Sequence, residues 1–137
     1  IQGQSTSNPC TVSQWAALEA LNGPQGYIAS NNILFRTRRD LVVAQLNAID
    51  GITCPTPEGA FYVYASIDGL IGKTTAAGVL LANDEAFAMQ LLEEANVAIV
   101  FGAAFGLSPC FRVSYAASED TLKAACARIA GFCAALT

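Results

Sequence analysis

The sequence predicts an α+β fold, in which helices pack on a small, mostly antiparallel sheet preceded by a helical segment. Three observations point to it. Apolar residues recur at helical spacing in four stretches, and strand-like runs are few and short. The resulting order is α, α, β, loop, α, β, β, α rather than a strict alternation of strand and helix.

Residues 1–9 are polar and lead into a helix from about Cys10 to Leu21. Ser7 or Asn8 can cap it, and Pro9 suits the first helical position. Val12, Trp15, Leu18 and Leu21 form its apolar face, with Ala16 beside them and Glu19 toward solvent. Hydroxyls at Ser5, Thr6 and Ser7 ahead of a helix N-terminus suit a phosphate or carboxylate, although ordinary capping explains them more simply. The cluster Asn22-Gly23-Pro24-Gln25-Gly26 ends this helix and marks a bend between two structural units.

A second helix runs from about Ile28 or Asn31 to Ala48. Ile33, Leu34, Leu41, Val42, Leu46 and Ile49 are its apolar positions, and Asp50-Gly51 terminates it. Arg36, Arg38 and Arg39 read as a solvated helix face. Pro55 and Pro57 make residues 53–59 a rigid, extended approach. Residues 60–65 form a strand, with Phe61 and Val63 on one face and Tyr62 and Tyr64 on the other. Residues 66–83 read as a surface loop with a short helical turn. Its Gly72-Lys73-Thr74 resembles the end of a phosphate-binding loop, but Ile67 stands where that motif needs glycine.

Asn83 or Asp84 caps a third helix, whose stripe is Phe87, Leu91 and Leu92. Val97-Ala98-Ile99-Val100 reads as a strand covered on both faces. A loop of small residues, 101–109, joins it to a strand at 109–116. There Phe111, Val113 and Tyr115 point one way, and Arg112 and Ser114 the other. Ser118 caps the last helix, whose core face is Leu122, Cys126, Ile129, Cys133 and Leu136.

Arg112 is the candidate functional residue. Its guanidinium stays charged at any ordinary pH, so burial within an apolar run requires a partner. The planar fork suits a carboxylate held through two hydrogen bonds. The competing reading is an edge-strand arginine whose head reaches out to water.

The 137 residues fit one domain. Hydrophobic residues make up 53% and charged residues 13%, against a usual charged share of about 25%. That excess implies apolar surface covered by something outside these residues. A net charge of −4 argues against a nucleic-acid or anionic-membrane surface. With no histidine and no metal-ligand spacing among five cysteines, neither a metal site nor a histidine-dependent nucleophile is expected. The cysteines read as reduced thiols, hence a cytoplasmic protein. No signal peptide or membrane-span-length run is present. The first residue is Ile, which points to a processed chain or part of a longer one.

Several motifs together resemble class I aminotransferases of fold type I, most closely the bacterial aspartate aminotransferase subgroup. They are Gln4-Ser5-Thr6-Ser7-Asn8-Pro9, residues 14–21, Arg38-Arg39-Asp40-Leu41, Pro57 to Tyr64, Gly102 to Leu107, and Phe111-Arg112-Val113-Ser114-Tyr115-Ala116. The resemblance implies that Arg112 holds the substrate α-carboxylate and that Phe61 lines the substrate pocket. It implies that Ser5, Thr6, Ser7 and Asn8 lie near the pyridoxal 5′-phosphate of the partner subunit in a homodimer. Residues 1–29 then match the end of a large cofactor-binding domain, and residues 30–137 a small domain that closes over substrate. The family anchors its cofactor on a lysine N-terminal to everything here. Lys73 and Lys123, the only lysines, do not match it. Phe101 stands where relatives often carry a polar residue, which bears on substrate preference. These residues are therefore expected to carry a substrate clamp without the reactive centre, the N-terminal part of the same protein supplying the rest. The expected activity of the whole is amino-group transfer between an amino acid, aspartate or glutamate, and a 2-oxo acid. The alternative is a non-catalytic α+β module that binds an amino acid or a protein partner.

Overall fold

The computed structural model describes residues 2–137, which form two compact units divided between Ile33 and Leu34. In the first unit a short helix, α1 (Gln2–Ser5), precedes α2 (Thr11–Asn22), and Gly26 opens α3 (Gly26–Asn47). The cap of α2 is Cys10, which makes no side-chain capping bond. This corrects the expectation of Ser7 or Asn8. The Ser7 hydroxyl donates instead to Asn8 Oδ1 at 3.0 Å, so the two expected caps engage each other. Gln14 secures the helix entry by donating its side-chain amide to the Pro9 carbonyl at 2.8 Å. Pro9 therefore precedes the helix rather than opening it.

Val12, Trp15, Leu18 and Leu21 share one face at helical spacing, but α2 buries no residue, and Trp15 is 68% exposed. An uncovered stripe of this size marks a contact face.

In the second unit the C-terminal half of α3 anchors the core through Val42 and Leu46, both fully buried. Asn47 fastens the chain beyond it. Its side-chain amide donates to the Cys54 carbonyl and its Oδ1 accepts the Cys54 N–H, both at 2.8 Å. Arg39 pairs with Asp40 at 2.7 Å and donates to the Pro57 carbonyl at 3.2 Å. The basic cluster is thus only partly a solvated face, because Arg39 helps to hold the extended approach to the sheet.

The sheet has three antiparallel strands in the order β1-β3-β2, where β1 is Tyr62–Ser66, β2 is Val100–Phe101 and β3 is Cys110–Ser114. Val63, Ala65 and Phe111 lie on the core face with no exposed surface. The strand expected at 97–100 shrinks to two residues, only half-buried. The reason is its place at the sheet edge, with β3 its only neighbour. The segment between β1 and α4 (Asp84–Ala95) is not merely surface. Ile67, Leu70 and Leu81 are fully buried, which an aperiodic loop does not reveal in sequence.

Asn83 caps α4 by accepting the Ala86 N–H at 2.8 Å. Ser118 caps α5 (Glu119–Ala134) by accepting the Thr121 N–H. Phe87 of α4 packs against Phe111 and Phe132, at centroid distances of 5.5 and 5.7 Å. These contacts tie both helices to the core face of the sheet.

All five cysteines are free, and only Cys10 is exposed. Burial pushes the Cys54 and Cys133 thiols up to about 11 from an ordinary value of 9.0. At pH 8 a thiol reagent should modify one cysteine per folded chain and five after denaturation. More than one reactive thiol in the folded protein would contradict this packing. Below pH 9 both thiols keep their protons, folded or unfolded. Above it the unfolded chain loses them first, so stability should fall as pH rises from about 9 toward 11. Denaturant midpoints across that range check the sign.

Candidate carboxylate-binding site

The alternation of β3 sends Phe111 and Tyr115 into the core and Arg112 to the opposite face. Register places Tyr64 of β1 directly across from Arg112 and Tyr62 on the diagonal, so all three share one face. Because β3 is the middle strand, the edge-strand reading of Arg112 does not hold.

Arg112 is half-buried, and its guanidinium lies over two aromatic rings. Its Cζ is 5.1 Å from the Tyr62 centroid and 4.5 Å from the Phe105 centroid. Such a cation–π contact is worth about 0.5–2 kcal/mol per ring, depending on exposure. The salt bridges among the described residues are Arg39–Asp40 and Lys123–Glu119, and neither uses Arg112. Arg112 is thus held against two rings and has no protein carboxylate, so its N–H donors can take an acidic ligand.

Phe105 is delivered by a 3₁₀ turn, Gly102–Phe105. The Tyr64 hydroxyl lies 3.0 Å from the carbonyl oxygens of both Gly102 and Leu107, holding the two ends of that loop. Burial is the main cause that raises the Tyr64 hydroxyl above its ordinary value of 10.0, so it remains a donor at neutral pH. Only glycine fits at 102. A Cβ there would meet the Leu107 carbonyl, the Tyr64 hydroxyl and the Cys110 carbonyl. Asp84 Oδ2, buried at the start of α4, accepts the Ala103 N–H at 2.9 Å.

Phe61 sits one residue before β1 and is 52% exposed. Its ring meets Tyr62 edge-on at 5.6 Å. Its carbonyl accepts the Tyr115 N–H at 2.8 Å, while the Tyr115 hydroxyl donates to the Ala60 carbonyl at 3.0 Å. That second bond supports Ala60 at φ +64°, a left-handed conformation uncommon for alanine. Phe61, Phe105 and Leu107 are exposed apolar side chains. Phe61 and Arg112 thus belong to one constellation, linked through Tyr62.

Ser5, Thr6, Ser7 and Asn8 belong to the first unit. Thr6, Ser7 and Asn8 line a shallow concavity with Gly3 and Pro9, while Ser5 ends α1. Their hydroxyl and amide donors match phosphate oxygens in hydrogen-bonding type. Sequence reasoning missed Tyr62, Tyr64, Phe105 and Asp84. The two tyrosines are legible once β1 and β3 are paired, because a period of two puts them on the Arg112 face. Nothing in the loop pattern singles out Phe105.

The family model for aminotransferase class I and II matches residues 1–129. The chain belongs to that family. Among relatives, the aspartate/prephenate aminotransferase of Cereibacter sphaeroides is 63% identical over 137 residues, which is 100% of this chain and 34% of that protein. A probable aspartate/prephenate aminotransferase of Rhizobium leguminosarum is 57% identical over 98% of this chain and 34% of its own length. The crystal structure of the aspartate aminotransferase from Rhizobium meliloti superposes with a TM-score of 0.95. It is 51% identical and covers 99% of this chain and 34% of that one. This chain therefore spans about a third of the length of the aminotransferases it matches.

Gly102→Ala should disrupt the aminotransferase loop, lowering stability by about 1–3 kcal/mol, the usual range for overpacking. Tyr64→Phe should lose about 1 kcal/mol, the net worth of a hydrogen bond. Thermal melts of both variants measure this, and an unshifted Gly102→Ala would contradict the close approach at that position.

Proposed function

We propose that these residues act as the C-terminal third of a pyridoxal-phosphate-dependent aminotransferase. The observation that carries this reading is the Arg112 guanidinium, which lies over the Tyr62 and Phe105 rings and has no carboxylate of its own. In that role Arg112 grips the α-carboxylate of an amino or 2-oxo acid through two N–H···O bonds. Gripping one end of the substrate orients its Cα relative to the cofactor, a gain that comes from positioning rather than chemistry. Phe61, Phe105 and Leu107 would cover the substrate and exclude water. Relatives named for aspartate and prephenate support an amino-acid donor such as aspartate or glutamate and a 2-oxo acid acceptor.

Pyridoxal 5′-phosphate supplies the electron sink for such a transfer when bound. Ser5, Thr6, Ser7 and Asn8 would contribute neutral donors near its phosphate, in a homodimer in which this segment faces the partner's cofactor. Residues 1–29 would belong to a large domain and residues 30–137 to a small domain that closes on substrate. The uncovered α2 face would be covered by the rest of the large domain. Five free cysteines support a cytoplasmic setting. Membership of an aminotransferase family favours this reading over a non-catalytic binding module.

Neither lysine matches the family's cofactor anchor in sequence. Lys123 lies 3.5 Å from Glu119 on α5, and Lys73 lines a cavity with Cys133 and Leu136. The 137-residue chain mixed with pyridoxal phosphate should accordingly show no transamination, and measured turnover would contradict this.

In the complete enzyme, Arg112→Ala should lower kcat/KM for dicarboxylic and monocarboxylic substrates alike, by about 2–5 kcal/mol for a desolvated charge partner. Steady-state kinetics with aspartate and with an aromatic amino acid test it. A loss confined to aspartate and glutamate would mean that Arg112 reads the side chain instead.

A further inference from the structure

Asp84 is the most deeply buried charged side chain among the described residues, with 1% of its surface exposed. It is the first residue of α4, a helix that Asn83 already caps. Its carboxylate bonds backbone outside that helix. Oδ2 accepts the Ala103 N–H at 2.9 Å and, more weakly, the Cys110 N–H at 3.4 Å. Ala103 is two residues before Phe105, over whose ring the Arg112 guanidinium lies. Cys110 is two residues before Arg112 on the same strand. One carboxylate oxygen therefore ties the segment that carries Phe105 to the strand that carries Arg112.

Tyr64 also ties the loop, its hydroxyl 3.0 Å from the carbonyl oxygens of Gly102 and Leu107. Tyr64 takes the acceptors of the loop and Asp84 takes a donor, so the two are complementary. A buried carboxylate is costly unless it is hydrogen-bonded, and here Oδ2 accepts from two backbone N–H groups. Loss of the carboxylate would leave both donors unpaired and free Phe105 to drift from Arg112.

We propose that Asp84 is a positioning residue for the carboxylate clamp, setting the geometry of Arg112 and Phe105 without touching substrate. This rests on the aminotransferase reading above. Displacement by about 1 Å at such a site can reduce rate on the order of 100-fold.

The test uses the full-length protein loaded with pyridoxal phosphate and follows the half-reaction with two amino donors. One is aspartate. The other is β-alanine, which is aspartate without its α-carboxylate. Asp84→Ala should lower the second-order rate with aspartate by about 10- to 100-fold and leave β-alanine within about twofold. Affinity for maleate, read by calorimetry, should fall in parallel. Asp84→Asn, which keeps an acceptor oxygen, should recover most of the loss. If Asp84→Ala does not fold, Asp84→Asn is compared with Ala103→Pro, which removes the loop donor and leaves the carboxylate in place. Ala103→Pro should then show the selective loss. Equal losses with both donors, or no loss, would overturn the proposal. Arg112→Ala run alongside separates the two claims. If it too fails to discriminate between the donors, the assignment of Arg112 is what has failed.

Discussion

The site is governed by a charge that cannot be switched off. A guanidinium on the middle strand of a three-stranded sheet has neighbours on both sides and no route to bulk water along an edge. Half-buried as it is, it gains from partners where it stands. The fold supplies the Tyr62 and Phe105 rings rather than a carboxylate. Rings attract the charge but do not saturate its N–H donors, so it stays available to a ligand.

The rest of the second unit follows from the alternation of the two long strands. One face of the sheet carries Val63, Ala65 and Phe111 into the core, where Phe87 and Phe132 lock α4 and α5 against it. The opposite face is thereby freed for Tyr62, Tyr64 and Arg112. A slip of one residue in the pairing of β1 and β3 would exchange the two sets. Packing and function therefore depend on the same register. Tyr115 reinforces that register at its end, with its N–H on Phe61 and its hydroxyl on Ala60. Its ring meets Phe35 of α3 at 6.2 Å.

Much of this was legible in the residues. The α+β class, the element order, the caps at Asn83 and Ser118, and the Arg112 face all follow from spacing and side-chain chemistry. The misreadings share a cause, which is that local pattern says nothing about what lies opposite. The apolar face of α2 was visible, but the described chain has nothing to bury it. Val97 to Val100 read as a fully covered strand because a continuous apolar run does not distinguish a central strand from an edge one. Ile67, Leu70 and Leu81 were hidden in an aperiodic loop. Asp84 read only as a possible helix cap because its partners, Ala103 and Cys110, are 19 and 26 positions away. Phe105 is brought to Arg112 by a short 3₁₀ turn that Tyr64 and Asp84 hold from distant elements, so nothing in the local pattern assigns it.

A crystal structure of the full-length protein with a bound 2-oxo acid or amino-acid analogue tests the central claim most directly. The account predicts both carboxylate oxygens about 2.7–2.9 Å from two nitrogens of Arg112, with the guanidinium still over the Tyr62 and Phe105 rings. A carboxylate bound elsewhere, with Arg112 swung into solvent or paired to a protein acid, would contradict it.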